Sequence, residues 1–244
     1  SPHPRPRHAA AAAPWRLVWH ALDSYNPWMQ GYVREVVARE KPDVASAHSL
    51  GGWSVASWEM LGKQGIPVVQ VLHSHDVICV KTRMFRGGHN CVRQCPSCQL
   101  FRLPHRKLSG NLSAVIGVSR YILNYHQSLG YFDGVPIQRV IHNARNPELL
   151  GADESELSSP HDGLRFGYIG QLLPAKGIES LIDAFLAANL PGGELWIAGS
   201  GKQDYQSRLQ TKTRDERIRF LGRVAPRDFY PQVDVVVVPS LWNE

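Results

Sequence analysis

Hydrophobic and polar positions along this chain alternate between two rhythms. Short apolar runs of strand character are followed by longer segments in which apolar residues recur at helical spacing. Tyr32, Val33, Val36 and Val37 predict a helix over 28–40, which Lys41-Pro42-Asp43 ends. Val44 to His48 then reads as a strand, Trp53 to Gln64 as a helix and Val68 to His73 as a strand. A helix-prone basic stretch at 99–112 leads to a strand at 114–119, a helix at 120–129 and a strand at 137–143. After residue 163 the rhythm restarts. Strands are expected near 165–170, 194–199, 218–221 and 234–238, with helices near 177–189, 203–213 and 226–232. Strands alternating with helices imply parallel sheets of βαβ units, hence an α/β fold. The polar, turn-rich segment 147–163 is the best linker, dividing residues 15–146 from 164–244. Two Rossmann-like domains are expected, with ligands at the carboxyl ends of their strands.

Within the second block, Arg165 to Phe185 (RFGYIGQLLPAKGIESLIDAF) carries the most chemistry. A strand closes at Gly170, Pro174 interrupts, and Ile178, Leu181, Ile182 and Phe185 open an amphipathic helix. A helix start favours negative charge, and Lys176 adds a full positive one, so the segment predicts an anion site. A plain strand–loop–helix connection with a solvated lysine is the alternative reading.

Composition narrows the class. Hydrophobic residues make up 43% of the chain and charged ones 20%, as in ordinary globular proteins. No run approaches the roughly 18 apolar residues of a membrane span. The alanines at 9–13 are too few for a signal peptide's core, and residues 1–14 predict a frayed tail. The net charge of +6 suits an acidic partner such as a nucleotide phosphate or an anionic lipid surface, although solubility explains it equally. Arg102, His105, Arg106 and Lys107 form the one compact basic patch that could meet a membrane. Asn111-Leu112-Ser113 matches a glycosylation sequon by chance.

Four pieces of the second block then stand in a meaningful series: YIGQLLPAKG at 168–177, LWIAGSG at 195–201, IRFLGRV at 218–224 and DVVVVPSLWNE at 234–244. With PDVASAHSLGG at 42–52, VVQVLHSHD at 68–76, AVIGVSRYI at 114–122 and VIHNA at 140–144, they resemble the retaining glycosyltransferases of family 4. The resemblance implies a GT-B fold of two Rossmann-like parallel-sheet domains, acceptor side first and donor side second. It also implies transfer of a sugar from a UDP- or GDP-sugar to a glycan, lipid-linked or small-molecule acceptor. Lys176 matches the family's phosphate-clamping lysine, but its usual arginine partner is replaced by Gln171, which brings no charge. Gly170 closes the strand beside it, and Gly199 and Gly201 would let the backbone approach the nucleotide. A plain left-handed turn is the other reading for Gly201. Glu244 matches the first of the family's paired glutamates, and the second falls beyond the sequence. His73 matches the active-site histidine beside the transferred sugar, with His75 and Asp76 near enough to compete. Retention is commonly explained by same-face attack, in which the leaving phosphate takes the acceptor's proton. No protein base or catalytic cofactor is therefore assigned.

The cysteines stand apart. Cys79, Cys91, Cys95 and Cys98 are spaced C-x11-C-x3-C-x2-C inside the insertion 79–98. Four thiolates could hold a structural zinc, with His89 as a spare ligand; Cys79 could equally be a buried small hydrophobe. Their local clustering points to a reducing cytoplasm, with a peripheral place at the inner membrane face as an option. Three other readings remain: a nucleotide-sugar epimerase, a zinc-stabilised basic module that binds nucleic acid, and a fragment that keeps the nucleotide site without turnover. No recognition helix or basic stripe supports nucleic acid. Both domains read as incomplete, so the segment alone is expected to be poorly soluble or inactive.

Overall fold

The structure, a computed structural model, describes residues 13–144 and 163–243. The tail up to residue 12, the candidate linker up to residue 162 and Glu244 lie outside the described residues. Two compact units part between Asn143 and Ala144.

In the first unit α1 (Ala13–Ser24) and α2 (Trp28–Glu40) precede β1 (Ala45–Ala47), α3 (Ala56–Lys63) and β2 (Val68–Leu72). A short antiparallel hairpin follows, β3 (Phe85–Arg86) and β4 (His89–Asn90), then α4 (Pro96–Phe101) and α5 (Leu103–Ser109). The unit continues with β5 (Ala114–Gly117), α6 (Arg120–Ser128) and β6 (Ile137–Val140). Its parallel sheet runs β1-β2-β5-β6. The apolar run of β2 and β5 is long enough for a strand buried on both faces, and Leu72 and Val115 are fully buried. They join Val77, Ile78, Tyr131 and Phe132 in one core.

Three features of this unit depart from the sequence pattern. The helix α1 was not foreseen, because its large apolar residues Trp15, Leu17 and Val18 are exposed and it buries polar Asp23 and Ser24 instead. On α2 the inward stripe is Met29, Val33 and Val37, while Tyr32 and Val36 are exposed. A stripe at i, i+4 and i+8 is narrower than the four-residue face that the pattern suggests. The basic patch is not a patch. Arg102 and His105 are buried, Arg102 in an ion pair with Asp23 at 2.8 Å, so the membrane-facing surface loses two of its four members.

The second unit contains β7 (Arg165–Ile169), a 3-10 turn at Pro174–Lys176 and α7 (Ile178–Ala188). It goes on with β8 (Glu194–Ala198), α8 (Gln203–Lys212), β9 (Ile218–Gly222), α9 (Pro226–Phe229) and β10 (Val235–Val236). All four strands are parallel in the order β10-β7-β8-β9, with Phe166 opposite Leu195 and Leu195 opposite Ile218. Ile178, Leu181, Ile182 and Phe185, the periodic set on α7, are all buried against the sheet. Fully buried aliphatics such as Ile178, Ile182 and Leu195 contribute about 1.5–3 kcal/mol each relative to exposure. Strand order reverses between β7 and β10, which places the topological switch point at the end of β7.

Candidate functional site

The carboxyl edge of the second sheet is built from backbone at very close range. Gly199 has φ +133°, and a Cβ on it would overlap the Gly170 carbonyl. Gly201 would meet the Leu172 carbonyl in the same way, so its requirement for glycine is this approach and not a left-handed turn. Gly170 N–H donates to the Ala198 carbonyl at 3.0 Å and Leu172 N–H to the Ser200 carbonyl at 3.0 Å, stitching the two strand-end loops together. Gly177, at φ +70°, caps α7 and packs against the Pro239 carbonyl, while Leu241 N–H donates to the Ala175 carbonyl at 2.9 Å. Thus the loops after β7, β8 and β10 share one edge at the switch point.

Charged and aromatic side chains stand on this edge. Lys176 ends the 3-10 turn just before α7, and its Nζ lies 4.8 Å from the centroid of the Trp242 ring, a cation–π contact. Gln171 is exposed, and its carbonyl accepts from the Tyr168 hydroxyl at 2.8 Å. Arg223, just past β9, donates from Nε to Ser200 Oγ at 2.7 Å, which leans the guanidinium toward the loop after β8. In strand order the edge carries Trp242, Lys176, Ser200 and Arg223. Loops two strands apart are separated by about 10 Å. Arg223 and Trp242 were not singled out by sequence reasoning, although both lie inside motif blocks of the resemblance. Their signal is position just past a strand end, which becomes meaningful only once strand order is known. Glu244 lies outside the described residues.

In the first unit, His73 follows β2 and is exposed. Its Nε2 is 2.9 Å from Nδ1 of His48, which follows β1, and the rings stack with centroids 5.2 Å apart. Ser46 Oγ lies 3.2 Å from the remaining His48 nitrogen. One imidazole must donate and the other accept, so a single hydrogen bond joins the pair at the strand ends. His48 was missed; its signal is the His-Ser pair that closes both neighbouring strands at 48–49 and 73–74. His75 and Asp76 do not compete with His73 for an exposed role. Both are buried, His75 stacked on His126 and edge-on to Tyr125. Burial pushes Asp76 up, partly offset by the Leu50 N–H that it accepts, and pushes His126 down to about 3. Desolvation holds His105 well below the usual histidine range. Asp23 fixes the nearby loop from below by accepting from Gly52 N–H at 3.0 Å while it pairs with Arg102.

The four cysteines form a separate cluster. All line one cavity of about 180 Å³, together with Lys81 and Arg86. Cys98 donates its thiol to Cys79 Sγ at 3.9 Å. That bond, with backbone N–H groups of Met84, Lys81 and Arg83, pushes Cys79 down to about 5 against the opposing effect of burial. The same bond and burial push Cys98 up. Among the described residues no three ligating side chains are drawn onto a single point. His89 is exposed on β4 and is not among the residues that line the cavity.

Residues 1–149 match the family model described as Glycosyltransferase Family 4, and residues 163–244 match that described as Glycosyl transferases group 1. Over 229 residues the chain is 24% identical to an uncharacterized 42.6 kDa protein in the cps region of Klebsiella pneumoniae, covering 94% of this chain and 59% of that protein. Among solved structures it is similar to Anabaena HepE in complex with UDP and glucose, with TM-score 0.61 and 21% identity. That match covers 85% of this chain and 55% of HepE. A glycosyltransferase from Rickettsia africae matches with TM-score 0.64 and 14% identity, over 89% of this chain and 57% of that one. The chain therefore spans little more than half the length of these relatives.

Proposed function

Because the chain belongs to glycosyltransferase family 4 and has the α/β GT-B fold of two parallel-sheet units, we propose that it moves a sugar from a nucleotide-sugar donor to an acceptor. The observation that carries this reading is the switch-point edge of the second sheet. There Lys176 and Arg223 present two cations beside loops that only glycine can bring together. A nucleotide diphosphate is the ligand class that suits such an edge, and HepE was solved with UDP and glucose.

Each residue has a role in this reading. Lys176 and Arg223 stabilise the negative charge that the diphosphate gains as it departs with the electron pair of the glycosidic bond. Arg223 takes the part of the cation missing at Gln171. The packed glycines hold the loops in place before the donor arrives, so little reorganisation is needed. His73, oriented by His48, contacts the transferred sugar, and Glu244 accepts hydrogen bonds from its hydroxyls. The departing phosphate oxygen accepts the acceptor's proton on the same face, which gives retention without a protein base or a catalytic metal. A UDP- or GDP-hexose or pentose is the donor, and a glycan or lipid-linked acceptor is the receiving class. Among the described residues no helix is long and apolar enough to cross a membrane.

The test is calorimetric titration of the chain with UDP- and GDP-sugars. One of them binds, and Lys176→Ala and Arg223→Ala each weaken it about ten- to a hundredfold, the range of a lost charge-assisted hydrogen bond. Unchanged affinity in both variants sinks the site assignment. The anomeric configuration of any product, read by NMR, tests retention separately.

A further inference from the structure

We propose that Cys79, Cys91, Cys95 and Cys98 bind one zinc ion in a tetrahedral tetrathiolate site that staples the 79–98 insertion to the first unit. The proposal is independent of the glycosyltransferase reading. Its first support is how the chain delivers the thiols. Gly87 and Gly88, with φ +60° and +85°, make the tight turn that pairs β3 with β4. The chain so reversed brings Cys91 back beside Met84, whose carbonyl accepts the Cys91 N–H at 2.6 Å. Cys95 then stands at the cap of α4 and Cys98 in its first turn. All four cysteines therefore line one cavity.

Distance is the second support. Zinc–thiolate bonds of about 2.3 Å in a tetrahedron place neighbouring sulfurs about 3.8 Å apart. The Cys79 and Cys98 sulfurs stand at 3.9 Å. A disulfide requires about 2.05 Å, so this pair has the separation of two ligands of one ion. Cys91 and Cys95 line the same cavity.

The third support is the surroundings. Thr82 and Met84 hold left-handed φ values of 63° and 48°, strained for non-glycine residues. When zinc displaces the thiol protons to solvent, the tetrathiolate carries a net charge of −2. The insertion carries Lys81, Arg83, Arg86 and Arg93 and no acidic residue to oppose it. Finally, a two-residue hairpin cannot sustain itself in water, and a metal staple adds to the packing of Cys79, Met84 and Cys98 in the first unit's core.

The experiment is metal analysis of the whole chain purified without chelator, with zinc release followed by a chromogenic dye as thiols are titrated by a mercurial. One zinc per chain is expected, released as the fourth thiol reacts. X-ray absorption should find four sulfurs at about 2.3 Å. Replacement by cobalt should give the thiolate-to-cobalt charge-transfer bands of a tetrahedral site. Cys79→Ser with Cys98→Ser abolishes stoichiometric zinc, and if that variant fails to fold, the wild-type measurements still decide. A folded chain with four free thiols, a disulfide or an iron–sulfur cluster in place of zinc overturns the proposal.

Discussion

The strand-end edges of the two units are constructed from different material. In the second unit the edge is backbone against backbone: Gly199 on Gly170, Gly201 on Leu172, Gly177 on Pro239. In the first unit it is side chain against side chain: His48 with His73, Asp23 with Arg102 and the Gly52 amide, His75 with His126. Backbone contacts at such range tolerate no added atom, so that edge is rigid and intolerant of substitution. Side-chain contacts respond instead to charge and protonation, so the first unit should be the pH-sensitive one.

The most severe way to break the comparison is Gly199→Ala. A methyl group there collides with the Gly170 carbonyl and forces an alanine to φ +133°. Strain and overlap together should cost about 2–6 kcal/mol. Calorimetry should show the second unit's transition lowered or lost, with the first unit's transition in place. A wild-type melting profile would show that the edge can relax.

In the first unit Asp23→Ala leaves Arg102 buried without its counter-charge and should cost about 3–5 kcal/mol in urea denaturation. Replacing both partners, Asp23→Leu with Arg102→Met, should recover most of that loss. If the double variant is no better than the single one, the pair serves packing and not charge balance.

Acid should act on the first unit next. His126 is held down to about 3 in the folded chain, so below an unfolded value near 6.5 the unfolded state binds the extra proton. Stability is therefore intact above pH 6.5 and falls as the pH drops toward 3, by about 2 kcal/mol at pH 5. Asp76, raised by burial, works in the opposite direction because acid relieves its buried charge. Denaturation at pH 7 and 5 in His126→Gln should show a smaller pH difference than in the wild type. An unchanged difference would assign the acid sensitivity elsewhere.

The smallest effect sharpens the comparison by contrast. Gly31 lies in α2 with open space where a Cβ would stand. Gly31→Ala should raise stability by about 0.5–1 kcal/mol, read from the urea midpoint at constant slope. The same substitution thus changes sign between a helix face and a backbone-packed edge.

How much of this was legible depended on sequence separation. The βαβ rhythm, the buried face of α7 and the loop around Lys176 could be read directly, because their determinants lie within one or two turns of each other. Helix α1 was not legible, since its inward contribution is Asp23, whose partner Arg102 lies 79 positions away. His48 and His73 are 25 positions apart, and only the pairing of β1 with β2 makes them neighbours. The apparent basic patch failed for the same reason: proximity in sequence said nothing about which of its members turn inward.

By itself the sequence determined most of the helices and the strands of both sheets, the parallel architecture and the glycine-and-lysine loop after β7. These follow from periodicity, turn chemistry and backbone sterics, all of which act locally. Tertiary structure alone decided that Arg223 and Trp242 share an edge with Lys176, that Arg102 is an interior ion pair, and that four cysteines face one cavity. Strand order and burial are properties of the assembled sheet, and it is the sheet that brings distant residues to a common edge.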